Sequence, residues 1–377
     1  MLIDQALYSN RLIRRADLIA ASLPEDPEEP DRSQGLFRVR SARSDATCSR
    51  LSGLGSTLAL CLLILGILGV SSCAFKTTSS RVATPELGKS AYTSFDGSRF
   101  PYRKWLPSSG QPPTTVVVGF HGIAGASSDW DALGSHLQDC QPAMAVYAPE
   151  LRGQGNDPVF SRRGDIKDPQ NWFNDFRSFT QLLRHRHPEA RIIWCGESMS
   201  TLIALHGVAA SPTAHPPCDA LILSSPIVRI HDDLPQWKRT ALRWGSTIFP
   251  RFKISLETLS GEDEVRVIRD VVHPDQAQTN SYHVSAFTLR LLNTLGTMIE
   301  SLPAQADRIN LPLLILHGGH DIFSKPDDVV SFAEQFPPTT KIIRHFYPES
   351  YHLLFYDNDR QRVLTAISQW LVSLDGP

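Results

Sequence analysis

From about residue 91 to the C-terminus, short apolar runs of β type alternate with segments of helical periodicity. Buried or partly buried strands are predicted at 114–120, 143–149, 191–195, 220–224, 311–316 and 341–346. Strands that alternate with helices are typical of a parallel sheet, because each parallel connection has to cross back over the sheet. We therefore expect an α/β fold with a mostly parallel central sheet flanked by helices.

Two parts of this region depart from the alternation. Residues 92–106 contain a tight Asp96-Gly97 turn and predict an opening hairpin. Residues from about 228 to 308 hold helix-like segments with aromatic side chains and no clear strand. We interpret this stretch as a helical cap over the sheet, within one domain at 91–377. The alternative is an ordinary helical elaboration.

The composition is that of a globular protein and argues against several functional classes. The 377 residues are 41% hydrophobic and 20% charged, which suffices for one large domain with a buried core. The net charge of −2 gives no general attraction to nucleic acid, so no nucleic-acid partner is expected. There is no HExxH motif or paired His/Cys cluster, so neither a metal nor a cofactor is predicted.

The six cysteines form no CxxC pair and do not resemble a disulfide framework. Cys195 lies in an apolar strand-like run and is expected to be a small buried hydrophobe. Cys140 and Cys218 are candidates for a disulfide if the protein is exported.

The N-terminal part of the chain differs in composition from the rest. Residues 1–49 include a proline-rich, acidic stretch and are expected to be a disordered leader, either a true extension or a start assigned too early. Within the segment 50–73, an apolar run of signal-peptide length follows Arg50 as its positive flank.

This run ends in Val70-Ser71-Ser72-Cys73, which resembles a bacterial lipobox. In such signals the cysteine is lipidated and becomes the mature N-terminus, so Cys73 is the predicted lipidation site and 74–90 a linker. The alternative is a single uncleaved transmembrane helix. Both interpretations place the domain at a membrane, as a lipoprotein facing the periplasm or cell surface or as a single-pass protein.

The segment Gly196-Glu-Ser-Met-Ser200 stands between a predicted strand and a predicted helix. A serine on such a strand–turn–helix junction is a nucleophile elbow, in which small neighbours are needed because strand and helix approach closely. Ser198 is therefore the candidate nucleophile. The usual pattern ends in glycine, and Ser200 is the next smallest residue that fits.

A serine needs a base to take its proton and an acid to orient the base. Asp321 follows the strand predicted at 311–316, and His352 follows the last strand, so both belong at the carboxyl edge of the sheet with Ser198. The competing candidates are weaker: His320 adjoins Asp321 in one loop and is expected to shape that turn, whereas Asp357 is expected to cap the last helix.

An acyl transition state also needs two backbone N–H donors. Met199, directly after the candidate nucleophile, is expected to supply one. Ile123, in the loop after the first buried strand, is expected to supply the other. His121 in the same loop is interpreted as a loop-stabilising residue.

Five motifs follow in an order that resembles the monoacylglycerol lipases and their lysophospholipase-like, serine aminopeptidase S33-type relatives. They are His121-Gly122, Glu150-Leu-Arg-Gly-Gln-Gly155, Gly196-Glu-Ser-Met-Ser200, His317-Gly-Gly-His-Asp321 and Tyr351-His352. The resemblance covers roughly 92–374 and implies an α/β-hydrolase fold with an apolar cap that accepts acyl chains. Relatives usually have Asp at position 150, His at 154 and Gly at 200, where this chain has Glu150, Gln154 and Ser200.

These observations predict a serine hydrolase that cleaves carboxylic esters, and the membrane-proximal signal and aromatic cap favour a lipid-like ester. Relatives with the same triad include aminopeptidases, thioesterases and acyltransferases, and the sequence excludes none of them. A third alternative is a non-catalytic, membrane-tethered binding protein, against which the complete Ser, Asp and His set argues.

The lipobox interpretation predicts that Cys73→Ala releases the protein from membranes, because the substitution removes the only thiol to which the lipid can attach in this motif. Membrane fractionation of cells that express the variant measures the effect. Attachment that is unchanged from the unsubstituted chain would favour the transmembrane alternative.

Overall fold

The computed structural model of the protein describes residues 84–229, 236–255, 267–269 and 282–374. The predicted leader at 1–49, the signal segment at 50–73 with Cys73, and most of the linker at 74–90 lie outside these residues. Among the helices that the structure describes, none is long and apolar enough to cross a membrane.

The centre of the domain is a nine-stranded sheet, and a separate pair of strands lies in the insertion, the stretch from about 228 to 308 that was interpreted as a cap. In chain order the strands are β1 Glu86–Leu87, β2 Ala91–Thr93, β3 Arg99–Trp105, β4 Thr115–Phe120, β5 Met144–Pro149, β6 Arg191–Glu197, β7 Ala220–Ser224, β8 Lys253–Ser255, β9 Ala286–Thr288, β10 Leu313–Gly318 and β11 Ile342–Tyr347. The order across the large sheet is β1-β2-β3-β5-β4-β6-β7-β10-β11. All pairs from β5 to β11 are parallel, whereas β1, β2 and β3 are antiparallel, which confirms the predicted mostly parallel sheet.

Helices connect the parallel strands, as the alternation predicts. They are α1 Asp131–Cys140, α2 Gln170–Arg186, α3 Met199–Ala209, α4 Gln236–Ile248, α5 Leu289–Ala306, α6 Pro326–Ala333 and α7 Arg360–Ser373. Strands β4, β5, β7 and β10 are buried along their whole length, which explains why they are continuous apolar runs rather than alternating ones.

Two apolar clusters fill the two faces of the sheet, because successive side chains of a strand point to opposite sides. Val116 and Val118 of β4 belong to the cluster shared with α2 and α3, and Val117 belongs to the one shared with α1 and α7. The ring of Phe120 stacks on Phe176 with centroids 3.5 Å apart. The aromatic side chains of α2 (Trp172, Phe173, Phe176 and Phe179) are thus part of the core.

The insertion differs from its prediction in two respects. Strands β8 and β9 pair as a two-stranded antiparallel sheet, so the prediction that this stretch contains no strand is wrong. Helix α5 packs against α3 and buries Leu291, Met298 and Leu302 in the main core. It therefore belongs to the helical layer on the sheet, so a cap would not extend to residue 308 as predicted.

Polar contacts attach the base of the insertion to the loop after β5. Asp165 accepts hydrogen bonds from the Thr288 hydroxyl at 2.7 Å and from the Arg290 guanidinium. The Lys253 ammonium donates to the carbonyl of Arg163 at 2.7 Å. Burial acts to raise the pKa of Asp165, but the hydrogen bonds from Arg290 and Thr288 outweigh this effect and lower the pKa. These bonds fix where the insertion leaves the sheet.

Two smaller predictions are also corrected. Strand β1 pairs with β2, so the domain begins before residue 91 and the predicted linker does not extend to residue 90. Cys140 and Cys218 are both free thiols rather than a disulfide. Cys140 lies 3.7 Å from the Ser368 hydroxyl on α7, whereas Cys218 is buried in the cluster on the other face of the sheet.

Candidate active site

Ser198 lies alone between the last residue of β6 and the first residue of α3. Its φ of 51° is in the left-handed region, which is unusual for a residue with a side chain and typical of functional turns. A Cβ at Gly196 would lie 2.8 Å from the carbonyl oxygen of Ser200, and one at Gly122 would lie 3.3 Å from the Ser198 Cβ. The turn predicted from the motif is therefore present. A side chain at Gly196 would clash with the backbone, and one at Gly122 would be tightly packed.

The structure brings together the three predicted side chains that follow β6, β10 and β11. The His352 Nε2 is 2.8 Å from the Ser198 Oγ, and the His352 Nδ1 is 2.8 Å from the Asp321 Oδ2. All three residues are buried. With a proton on Nδ1, His352 donates to the Asp321 carboxylate and accepts from the Ser198 hydroxyl, which is the arrangement that activates a serine.

Hydrogen bonds to the surrounding backbone hold the two loops that carry the acid and the base. Asp321 Oδ1 accepts from the Phe323 N–H at 2.8 Å. The Ser225 hydroxyl donates to the carbonyl of His352 at 2.5 Å, and the ring of Phe323 lies edge-on to the imidazole with centroids 4.6 Å apart. The sequence analysis did not identify Ser225, whose positive φ of 48° marks a second constrained position.

The two rejected candidates have structural roles. His320 stacks on the Tyr351 ring, and its backbone N–H donates to Ser350, in agreement with a turn-shaping role. Asp357 is not the cap of the last helix, because the N-cap residue of α7 is Asp359, two residues later. Its buried carboxylate instead accepts from the Tyr351 N–H at 2.6 Å. Asp357 therefore supports the loop that carries the base.

The loop after β4 carries one of the two predicted oxyanion donors. In the described part of the chain, the backbone N–H groups of Ile123 and Met199 have no protein acceptor. The donors are thus available for a ligand, as the first N–H groups of a helix commonly are. Next to Ile123, the Ala124 N–H donates to the Gln154 side-chain oxygen at 3.1 Å while Ala124 has a φ of 57°.

The residues that depart from the usual family pattern hold this loop. Glu150 accepts from the Ser127 hydroxyl at 2.6 Å and from the Asn156 N–H at 2.9 Å. The Ser200 hydroxyl donates to the carbonyl of His121 at 2.5 Å, so the serine in place of glycine fits and adds a bond. The Nε2 of His121 accepts from the Leu151 N–H at 3.2 Å, in agreement with its interpretation as a loop-stabilising residue.

Two further buried groups at the site were missed by the sequence analysis. His317 has both ring nitrogens without a hydrogen bond in the described part of the chain, and its Nδ1 is 3.7 Å from Asp321 Oδ2. Burial lowers the pKa of His317. Glu197 adjoins Ser198, and burial together with the charge of Asp129 raises its pKa to about 8. In sequence, only its place between an apolar strand and the elbow serine distinguished Glu197.

Ser200→Ala tests whether the serine variant of the elbow stabilises the site. We expect the free energy of unfolding to fall by about 1–2 kcal/mol, because the buried carbonyl of His121 loses its hydroxyl donor. Urea-induced unfolding followed by tryptophan fluorescence measures this. Ser246→Ala on α4, whose bond to Arg243 is exposed, is the control and should change stability by less than about 0.5 kcal/mol. Equal effects would show that the Ser200 bond contributes nothing specific.

Known proteins resemble this chain in sequence. The family model described as serine aminopeptidase, S33, matches residues 111–359. A monoacylglycerol lipase from Mycolicibacterium smegmatis is 26% identical over 285 residues, which are 75% of this chain and 96% of that protein.

Solved structures show the same fold at lower identity. The Paleococcus ferrophilus monoacylglycerol lipase has a TM-score of 0.59 at 22% identity and covers 73% of this chain and 98% of its own. A soluble variant of monoglyceride lipase from Saccharomyces cerevisiae, in complex with a substrate analog, has a TM-score of 0.62 at 20% identity. The match covers 78% of this chain and 96% of that one. The chain belongs to the serine aminopeptidase S33 family and is a monoacylglycerol lipase-like α/β-hydrolase.

Proposed function

We propose that the protein is a serine hydrolase that cleaves carboxylic esters through an acyl-enzyme formed on Ser198. The observation that carries this proposal is the unbroken hydrogen-bonded chain from the Ser198 hydroxyl through the His352 ring to the Asp321 carboxylate, with both bonds at 2.8 Å. A buried serine that only packed in the core would not need a buried base and an acid in this order.

Each residue then has a distinct chemical role. His352 takes the proton of Ser198 as the hydroxyl oxygen attacks the ester carbonyl, and Asp321 stabilises the imidazolium that forms. The N–H groups of Ile123 and Met199 donate to the oxyanion of the tetrahedral intermediate. His352 returns the proton to the leaving alcohol, and water, activated by the same base, releases the acid from Ser198.

The proposed substrate is a lipid ester with a single acyl chain, as the names of the monoacylglycerol lipase relatives suggest. Helix α4 of the cap supports a lipid substrate. Trp237, Trp244 and Ile248 are each more than 60% exposed and share one helical face, whereas the opposite face, with Leu242, packs toward the protein. An apolar stripe that faces solvent is typical of a surface that meets lipid.

The same segment carries a charge pattern that fits a membrane surface. Residues 236–255 contain five Lys or Arg and no acidic residue. Phe249 and Phe252, which follow α4, are also exposed. Aromatic and basic side chains together favour the interface of an anionic membrane. The proposed lipid anchor at Cys73, or a membrane helix in its place, would keep the protein at a membrane.

Two other classes of function, a different reaction at the same triad and non-catalytic binding, are compatible with the fold. Aminopeptidase, thioesterase or acyltransferase activity would use the same three side chains, and the family description names an aminopeptidase. A panel of p-nitrophenyl esters, monoacylglycerols, acyl thioesters and aminoacyl anilides separates these activities. A non-catalytic binding protein would hydrolyse none of them, although the complete triad argues against it.

Ser198→Ala tests the proposed nucleophile. We expect it to lower kcat for p-nitrophenyl butyrate and for monoacylglycerol by at least about 10⁴-fold, because no other group can form the acyl intermediate. Initial rates of acid release measure the effect, and Ser211→Ala, a buried serine that bonds to a helix carbonyl away from the triad, is the control. Retained hydrolysis in Ser198→Ala would overturn the mechanism.

The double substitution Trp237→Ser/Trp244→Ser tests the proposed lipid-facing surface of the cap. We expect the ratio of activity on vesicle-borne monoacylglycerol to activity on water-soluble p-nitrophenyl acetate to fall on the order of tenfold, since exposed indole rings contribute to interfacial binding. Val372→Ser, which removes an exposed apolar side chain from α7, is the matched control. A ratio that stays constant in both variants contradicts a role of α4 in lipid access.

A further inference from the structure

Glu197 is a buried acidic side chain that the proposed mechanism does not use. It is the last residue of β6 and directly precedes Ser198. Only 2% of its surface is exposed, and its Oε1 has no hydrogen-bond partner in the described part of the chain. A buried carboxyl group with an unpartnered oxygen is costly, so its presence beside the reacting serine requires an explanation.

The side chain of Glu197 lies against the loop that carries the proposed oxyanion donor. A Cβ at Gly122 would be 3.8 Å from the Glu197 Oε2 and 3.3 Å from the Ser198 Cβ. The first glycine of the loop therefore lies beside both the carboxyl group and the elbow. Ile123, which carries the donor, is the next residue along the chain.

Asp129 and Tyr356, from two other parts of the chain, interact electrostatically with this carboxyl. Asp129, in the turn before α1, accepts from the Tyr356 hydroxyl at 2.7 Å and from the Ala126 N–H at 2.9 Å. In the same loop as Gly122, the Nε2 of His121 lies 3.6 Å from the Oε2 of Glu150.

Cys195, on the same strand as Glu197, keeps its proton in the neutral pH range. Burial and the nearby carboxyl of Glu197 raise the pKa of this thiol well above its usual value. Burial is the main cause that raises the pKa of Glu197 to about 8, the negative charge of Asp129 adds to it, and a hydrogen bond from Gly122 acts against it. At pH 7 the group is therefore mostly the neutral acid.

We propose that Glu197 is a positioning residue that works as a neutral carboxylic acid, packed against Gly122 so that the adjacent Ile123 N–H is held toward the oxyanion. This inference rests on the proposed function, because it assigns a role within the same ester hydrolysis. When Glu197 ionises, its carboxylate adds a negative charge beside the place where the oxyanion forms. Like charges repel strongly in a buried site, so the tetrahedral intermediate is destabilised.

The expected signature is an alkaline decline in kcat/KM. With a pKa of about 8, roughly one tenth of the Glu197 side chains are neutral at pH 9, so kcat/KM falls up to about tenfold between pH 7 and pH 9. Glu197→Gln has the same shape and cannot ionise. The ratio of kcat/KM at pH 9 to that at pH 7 should therefore rise toward one in this variant.

Asp129→Asn should move the profile in the opposite direction. It removes the charge that helps to keep Glu197 protonated, so the alkaline decline begins at a lower pH than in the unsubstituted protein. Glu189→Gln, at an exposed glutamate on the surface, is the matched control and should leave the ratio unchanged. A merely structural role for Glu197 would lower the rate of Glu197→Gln at every pH and leave the shape of the profile as it was.

The decisive experiment measures pH profiles of kcat/KM for p-nitrophenyl butyrate with the full chain and the three variants, together with two readouts that need no turnover. Infrared difference spectra should show a protonated carboxyl band at pH 7 that disappears by pH 10 and is absent in Glu197→Gln. Between about pH 5 and pH 8, the unfolding temperature should fall more in the unsubstituted chain than in Glu197→Gln. Over this pH range the unfolded state has lost the Glu197 proton that the folded state retains, so the folded state becomes less stable as the pH rises.

The outcomes separate the two proposals. If Ser198→Ala keeps its activity, the proposed function fails whatever the pH profiles show, and the infrared band still reports the protonation of Glu197. If hydrolysis depends on Ser198 but the profile of Glu197→Gln coincides with that of the unsubstituted chain, the role of Glu197 is wrong and the ester hydrolase proposal stands. Absence of the protonated carboxyl band at pH 7 would overturn the inference directly.

Discussion

The close packing of two glycines around the Ser198 turn is the constraint on which the rest of the site depends. Gly196 leaves room for the carbonyl of Ser200, and Gly122 leaves room for the Cβ of Ser198. Strand β6, helix α3 and the loop after β4 therefore meet with almost no side-chain volume between them. The left-handed backbone at Ser198 is energetically unfavourable. The packing of the buried sheet beneath it offsets this strain and holds the turn in place.

The parallel sheet then brings the other groups to the same place. Register pairs the last residue of β10 with that of β11, so the loops carrying Asp321 and His352 start side by side. Because open α/β sheets form their sites at the carboxyl ends of strands, residues that are far apart in the chain meet over one edge. The cost is a concentration of buried polar groups, and bonds such as that from Ser225 to the His352 carbonyl satisfy them.

Much of this arrangement could be predicted from the sequence. The apolar strand runs and the glycine spacing are readable locally, and a parallel sheet brings the loops that carry Ser, Asp and His to one edge. The short pair β8 and β9 could not, since three-residue strands leave no readable pattern. The periodicity of 289–306 predicts a helix but does not reveal the surface on which it packs. Glu197 was overlooked for a similar reason: the Asp129 charge that acts on it lies 68 residues earlier in the chain.

The central claim is that one buried serine is made nucleophilic by its neighbours. Mass spectrometry of the intact protein and of its peptides after treatment with a fluorophosphonate measures this most directly, because the reagent marks only an activated hydroxyl. The account predicts a single phosphonate on Ser198, formed at a rate that falls by orders of magnitude in His352→Gln. Labelling of a different residue, or labelling of Ser198 at an unchanged rate without the imidazole, would contradict it.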